Sequence, residues 1–159
     1  MTRTEASQRR VQQIRPMDTL ISASTLGRID YADAFDVAVE GPFDRSAGEW
    51  MRAMLEGAPV NTRIRLLSAW SAIGLKLRTP GSDRTILGWP IRATDADSVL
   101  LGAHSRIGMP GELFMCRRDG GLLFATFVRQ DNPLARRLWS TIEDSHVHTV
   151  RSLLERVCR

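Results

Sequence analysis

The stretch Asn132–Val157, N-P-L-A-R-R-L-W-S-T-I-E-D-S-H-V-H-T-V-R-S-L-L-E-R-V, decides the fold. Asn132 suits the N-cap, where a side-chain oxygen accepts from an orphan amide of the first turn. Pro133 suits the first helical position, where its missing N–H costs nothing. Leu134, Leu138, Ile142, Val150, Leu153, Leu154 and Val157 then recur at helical spacing and predict one long helix with an apolar stripe. Glu143-Asp144-Ser145-His146 interrupts that stripe. The interruption means either a kink or a place where the helix faces something other than core.

A stripe of this length needs a long partner surface, and the sequence predicts one just upstream. Thr85–Arg92, Ser98–Ser105, Gly111–Arg117 and Leu122–Arg129 are short aliphatic and aromatic runs. Asp95-Ala96-Asp97, Gly108-Met109-Pro110 and Arg118-Asp119-Gly120-Gly121 separate them. Connections this short join antiparallel neighbours, so a meander is expected rather than βαβ crossovers. Gly74–Arg78 has the composition of a further short strand.

Further upstream, Tyr31–Val39 alternates with period two: Tyr31, Asp33, Phe35, Val37 and Val39 share one face, and Ala32, Ala34, Asp36 and Ala38 the other. Gly41-Pro42 ends this strand. Ser46-Ala47-Gly48-Glu49 then has the form of a capping box, followed by Ala47, Trp50, Met51, Met54 and Leu55 on one helical face and Gly57 as a stop. A second helix is predicted over Val60–Ala72, with Ile64, Leu67 and Ser71 on one stripe and Leu66, Trp70 and Ile73 beside it. Val11–Leu26 reads as an irregular lead-in with room for a short edge strand.

These elements predict an α+β helix-grip fold: a curved antiparallel sheet wrapped around a long C-terminal helix, with two short helices after the first strand. A twisted sheet clasping a long helix leaves a gap between them unless bulky side chains fill it. The 159 residues are expected to divide into a disordered basic tail, 1–10, and one domain, 11–159.

The formal net charge is +4. Arg3, Arg9, Arg10 and Arg15 against Glu5 place most of it in the first fifteen residues, leaving the rest nearly neutral. The isoelectric point of about 10.0 follows from the near-exclusive use of arginine, Lys76 being the one lysine. Nucleic acid is therefore not favoured as a partner. No apolar run reaches membrane-spanning length. Two cysteines, Cys116 and Cys158, exclude a disulfide scaffold or a Cys-rich zinc module. With neither a secretory signal nor a disulfide pattern, the cytoplasm is the expected compartment.

The sequence resembles the START-like (SRPBCC) superfamily, and within it a bacterial domain family of unknown function. The residues that carry the resemblance are I-D-Y-A-D-A-F at Ile29–Phe35, Trp50, G-W-P-I at Gly88–Ile91, L-F-A-T-F-V at Leu123–Val128, and W-S-T-I-E-D-S-H with a basic apolar finish at Trp139–Arg159. The similarity spans residues 11–158. Relatives often carry a proline shortly before the helix histidine, where this chain has Asp144-Ser145. The resemblance implies a cavity between sheet and helix that accepts an apolar or aromatic small molecule. It implies no particular reaction, since the superfamily spans binding proteins, transfer proteins and cyclases.

His146 falls on the apolar stripe of the last helix, four residues after Ile142 and four before Val150. It reads either as a structural imidazole bonded to sheet or backbone, or as a polar anchor for a ligand carbonyl or a general acid/base. His146 and His148 point about 200° apart on a helix, so no shared metal is expected. His104 shares a strand face with Leu100 and Gly102 and meets the cavity only if that face is concave. Asp33 sits among apolar neighbours and needs a partner; Arg92, Arg129 or a backbone amide are candidates, and an acid/base couple with His146 is the alternative. Trp89, Phe114, Phe124, Trp139, Ile142 and His146 are the expected ligand contacts.

The leading expectation is binding of a small hydrophobic or aromatic ligand. The alternatives are a cyclase/dehydratase-like enzyme using His146 or His104 with Asp33, or an interaction domain with a filled groove. No cofactor is expected, a small apolar ligand is the expected partner, and a homo-oligomer stays open.

Overall fold

The computed structural model describes residues 10–40 and 43–159. Its strands are β1 (Val11–Ile14), β2 (Tyr31–Ala38), β3 (Thr85–Ile86), β4 (Trp89–Thr94), β5 (Ser98–Ala103), β6 (Gly111–Arg118) and β7 (Gly121–Val128). The helices are α1 (Asp18–Ile21), α2 (Ala47–Leu55), α3 (Val60–Ala72) and α4 (Pro133–Val157). The strands form one antiparallel sheet in the order β1-β2-β7-β6-β5-β4-β3. With α4 against its concave face, the molecule has the helix-grip architecture.

Period-two alternation sorts the side chains into two cores. Phe35 and Val37 of β2, Leu122 and Phe124 of β7, and Leu113 and Met115 of β6 turn inward onto Met51 and Met54 of α2 and Val150, Leu153 and Leu154 of α4. Ala34, Leu100, Phe114, Ala125 and Phe127 turn to the opposite face, where Leu20, Leu26 and Ile29 of the N-terminal lead-in cover them. The lead-in thus carries the expected edge strand, β1, and also closes the convex side of the sheet.

A buried carboxylate fastens that lead-in. Glu112 is fully buried and accepts from Ser24 Oγ and Thr25 Oγ1, both at 2.5 Å, from the Thr25 amide and, at 3.0 Å, from Arg92. A β-bulge between Ile91 and Ala93 leaves Arg92 out of the pairing with β5. Its guanidinium then lies over Gly102, where a Cβ would collide with it, and so reaches Glu112.

The helix boundaries predicted for α3 and α4 are those observed. Ser46 caps α2 by accepting from the Glu49 amide and donating to Glu49 Oε1, both at 3.2 Å. Asn132 caps α4 by accepting from the Ala135 amide at 2.8 Å. The α4 helix runs without a break through Glu143–His146.

Three expectations need correction. The run Thr85–Arg92 is not one strand but a hairpin: Leu87 and Gly88, with φ of 45° and 85°, form a two-residue turn between Ile86 and Trp89. Leu87 tolerates this left-handed backbone because its side chain is anchored in the inner core. Leu134 and Ile64, expected on buried stripes, are 65% and 56% exposed. Both helices are rotated so that Ala135 and Trp139, and Leu66 with Trp70, face inward. Gly74–Arg78 forms a single bridge, Leu75 to Ser105, rather than a strand.

Residues 1–9 of the predicted tail and the Gly41-Pro42 stop lie outside the described residues. Arg10 is described, and it bonds the Cys158 carbonyl and Glu40. No helix among the described residues is long and apolar enough to cross a membrane.

Candidate functional site

The sheet and α4 do not close on each other everywhere. A cavity of about 380 Å³ lies between the β6–β7 end of the sheet, α3 and the middle of α4. Gly111, Leu113, Thr126 and Val128 form its floor, and Trp89, Met109 and Leu75 one flank. Leu138, Trp139, Ile142 and His146 border it from α4, and Leu66, Trp70 and Ile73 from α3 and its end. Ala69 and Ala72 on one rim and Ser145 on the other are exposed lining residues, so the opening lies between the two helices.

A polar cluster is built into one end of this mostly apolar wall. Asp33 and Thr126 face each other across β2 and β7, on the inward face. His146 descends from α4 onto both: its Nε2 lies 3.1 Å from Asp33 Oδ2 and 3.2 Å from Thr126 Oγ1. Tyr31, two residues before Asp33 on the same face, donates its hydroxyl to Asp33 Oδ2 at 2.8 Å. Tyr31 and His146 both pack against the Trp139 ring, with centroid distances of 4.8 and 5.1 Å. Trp70 and Trp89 meet edge to face at 5.5 Å on the other side of the cavity.

The cluster is nearly dry. The Asp33 side chain is 1% exposed and that of His146 18%. Burial pushes the Tyr31 hydroxyl far above the ordinary phenol range, and the charge of Asp33 and the hydrogen bond it accepts push it the same way. Asp33 Oδ1 has no hydrogen-bond partner among the described residues; neither do the buried indole nitrogens of Trp89 and Trp139. Orphaned polar atoms of this kind are costly and uncommon in a finished core.

Of the six residues expected to contact a ligand, Trp89, Trp139, Ile142 and His146 border the cavity. Phe114 does not. It lies one residue from Leu113 and therefore on the convex face, beneath the lead-in. Phe124 is on the inward face but fully buried in the deeper core, away from the cavity.

His104 is exposed to solvent, because the Leu100–Gly102 face is the convex one. The arginines considered for Asp33 go elsewhere, Arg92 to Glu112 and Arg129 to Asp131. His148 is exposed while His146 faces inward. Among the described residues no three His, Cys, Asp or Glu side chains gather as a metal site would require. Thr126 and the α3 wall were not legible as site residues. Their roles depend on the β2–β7 register and on the rotation of α3, which no local pattern encodes.

No family model matches this sequence, and no curated protein matches it. Among solved structures, the chain is similar to the di-domain ARO/CYC BexL from the BE-7585A biosynthetic pathway. The TM-score is 0.41 and the sequence identity 8%, over 81% of this chain and 50% of that one. The chain therefore spans about half the length of that structure.

Proposed function

We propose that this protein is a START-like binder of a small, mostly apolar ligand, held between the sheet and α4. The observation that carries this reading is the cavity of about 380 Å³, with mostly aliphatic and indole walls and a few polar residues, His146 and Thr126 among them. Pockets of this size and character are where proteins take up small molecules. A groove serving only as scaffold would be filled by side chains to interior density, because voids forfeit contact energy. Native mass spectrometry of the purified protein tests the proposal. A bound small molecule, displaced when the cavity is filled by mutation, is expected; a ligand-free protein that takes up no apolar probe would overturn it.

A second reading rests on the Asp33–His146 pair. A carboxylate 3.1 Å from an imidazole at a cavity wall can orient the ring and fix which nitrogen faces the cavity, the positioning that general acid/base catalysis requires. Incubating the protein with its extracted ligand separates the two readings. A binder returns the compound unchanged, whereas an enzyme converts it, and His146→Gln abolishes the conversion.

A further inference from the structure

We infer that the cavity selects an uncharged ligand that donates a hydrogen bond, through a hydroxyl or N–H group, to His146 Nδ1. This deepens the binding proposal above and rests on it.

The first strand of the inference is the proton on His146. Asp33 Oδ2 already receives the Tyr31 hydroxyl at 2.8 Å, and His146 Nε2 lies 3.1 Å from the same oxygen. An ionised carboxylate only accepts, so a lone pair on Nε2 would oppose the lone pairs of Oδ2. Nε2 therefore carries the hydrogen and donates it, with Thr126 Oγ1 at 3.2 Å as the second acceptor in reach. With a single ring proton, held on Nε2, the imidazole accepts at Nδ1. Nδ1 has no hydrogen-bond partner among the described residues and is not one of their fully buried unpartnered atoms, and the ring that carries it borders the cavity. A carbonyl or ether there would set lone pair against lone pair. A hydroxyl or N–H completes the bond.

The second strand is charge. No lysine or arginine among the described residues borders the cavity. Glu112 borders the cavity, Asp33 lies behind His146 at its polar end, and Glu143 and Asp144 act on Tyr31 in the same negative sense. A carboxylate or phosphate taken into this wall would lose its water and meet no cation, a penalty far larger than one hydrogen bond repays. The cavity volume of about 380 Å³ admits a molecule of two or three fused rings.

Four naphthalenes of one shape provide the test: 2-naphthol, 2-methoxynaphthalene, 2-acetylnaphthalene and 2-naphthoate. Binding is measured by titration calorimetry near pH 8.5, above the ordinary imidazole range. Naphthol is expected to bind about ten-fold or more tighter than the methoxy and acetyl compounds, and naphthoate not measurably. The methoxy compound is the more apolar, so hydrophobicity alone predicts the opposite order. Equal affinities, or binding of naphthoate, would overturn this inference while leaving the apolar-ligand reading intact. Failure of all four to bind would overturn both.

His146→Phe, which keeps the ring and removes the nitrogens, is expected to bring naphthol and methoxynaphthalene level. Should that variant not fold, long-range proton–nitrogen NMR of the wild-type imidazole gives an independent readout: an Nε2–H tautomer is expected, and an Nδ1–H tautomer would overturn the inference.

Discussion

Replacing the polar cluster wholesale should make the protein more stable while removing its discrimination among ligands. The perturbation is the triple variant Asp33→Val, Thr126→Val, His146→Leu. Asp33 is 2% exposed and Thr126 3%, and Asp33 Oδ1 has no partner among the described residues. Exchanging a buried charged or polar group set for apolar residues of similar size is often neutral or stabilising by about 1–4 kcal/mol. Valine also suits both strand positions. Against this, the half-buried Tyr31 hydroxyl loses its acceptor, at a cost of about 1 kcal/mol. The net expectation is a gain of up to about 3 kcal/mol, or up to about 10 °C in Tm for a domain of this size. The single variant His146→Ala strands Asp33 and should instead lose about 2–4 kcal/mol. Urea unfolding followed by far-ultraviolet circular dichroism measures both. A triple variant less stable than wild type by more than about 1 kcal/mol would refute the reasoning, because the cluster would then belong to the scaffold and its cost would need no functional explanation.

Glu112→Ala removes the fully buried acceptor of Ser24, Thr25 and Arg92 and is expected to cost about 3 kcal/mol; a loss below about 1 kcal/mol in the same urea assay would contradict the fastening role. Gly102→Ala pushes the Arg92 guanidinium off that carboxylate, so its effect should be smaller than additive with that of Glu112→Ala, and strict additivity would count against the geometry. At Gly111 a Cβ meets Phe127 O at 3.6 Å and Trp89 Cη2 at 3.7 Å, ordinary contacts, so Gly111→Leu should extend into the cavity, keep stability within about 1 kcal/mol and abolish uptake of 2-naphthol by calorimetry. Burial pushes the Cys158 thiol up to about 11 and raises that of Cys116, which leaves about one Cys158 thiol in a thousand ionised at pH 8. Iodoacetamide should therefore label Cys158 of the native protein on the order of a hundred-fold more slowly than Cys158 of the urea-unfolded chain, followed by peptide mass spectrometry, and labelling at equal rates would refute it.

Period and punctuation alone made several elements legible. The bounds of α3 and α4, the caps at Ser46 and Asn132, the buried face of α2 and the inward set Tyr31, Asp33, Phe35 and Val37 are all local patterns. They report on residues within a turn or two of each other, where backbone geometry dictates the spacing. The places where this logic fails share a cause. Leu87-Gly88 lacks the Asn-Gly signal of a tight hairpin, and its left-handed leucine is tolerated because a distant core holds the side chain. Leu134 and Ile64 fit an apolar stripe as well as their neighbours do, but each helix has only one rotation, and the partner surface sets it.

The same division separates the two halves of the site. That Asp33 needed a partner and that His146 lay on the inward stripe followed from chemistry and helical spacing. That they meet at 3.1 Å, with Thr126 between the strands and Tyr31 behind, depends on pairing across more than ninety residues of intervening chain. Register and helix rotation are set by the packing of the whole, and a linear pattern holds no record of either. The sequence determined which side chains share a face and which are able to carry polar chemistry; tertiary structure alone decided how each helix is rotated and which residues border a void, because a cavity is what remains after every other face has found its partner.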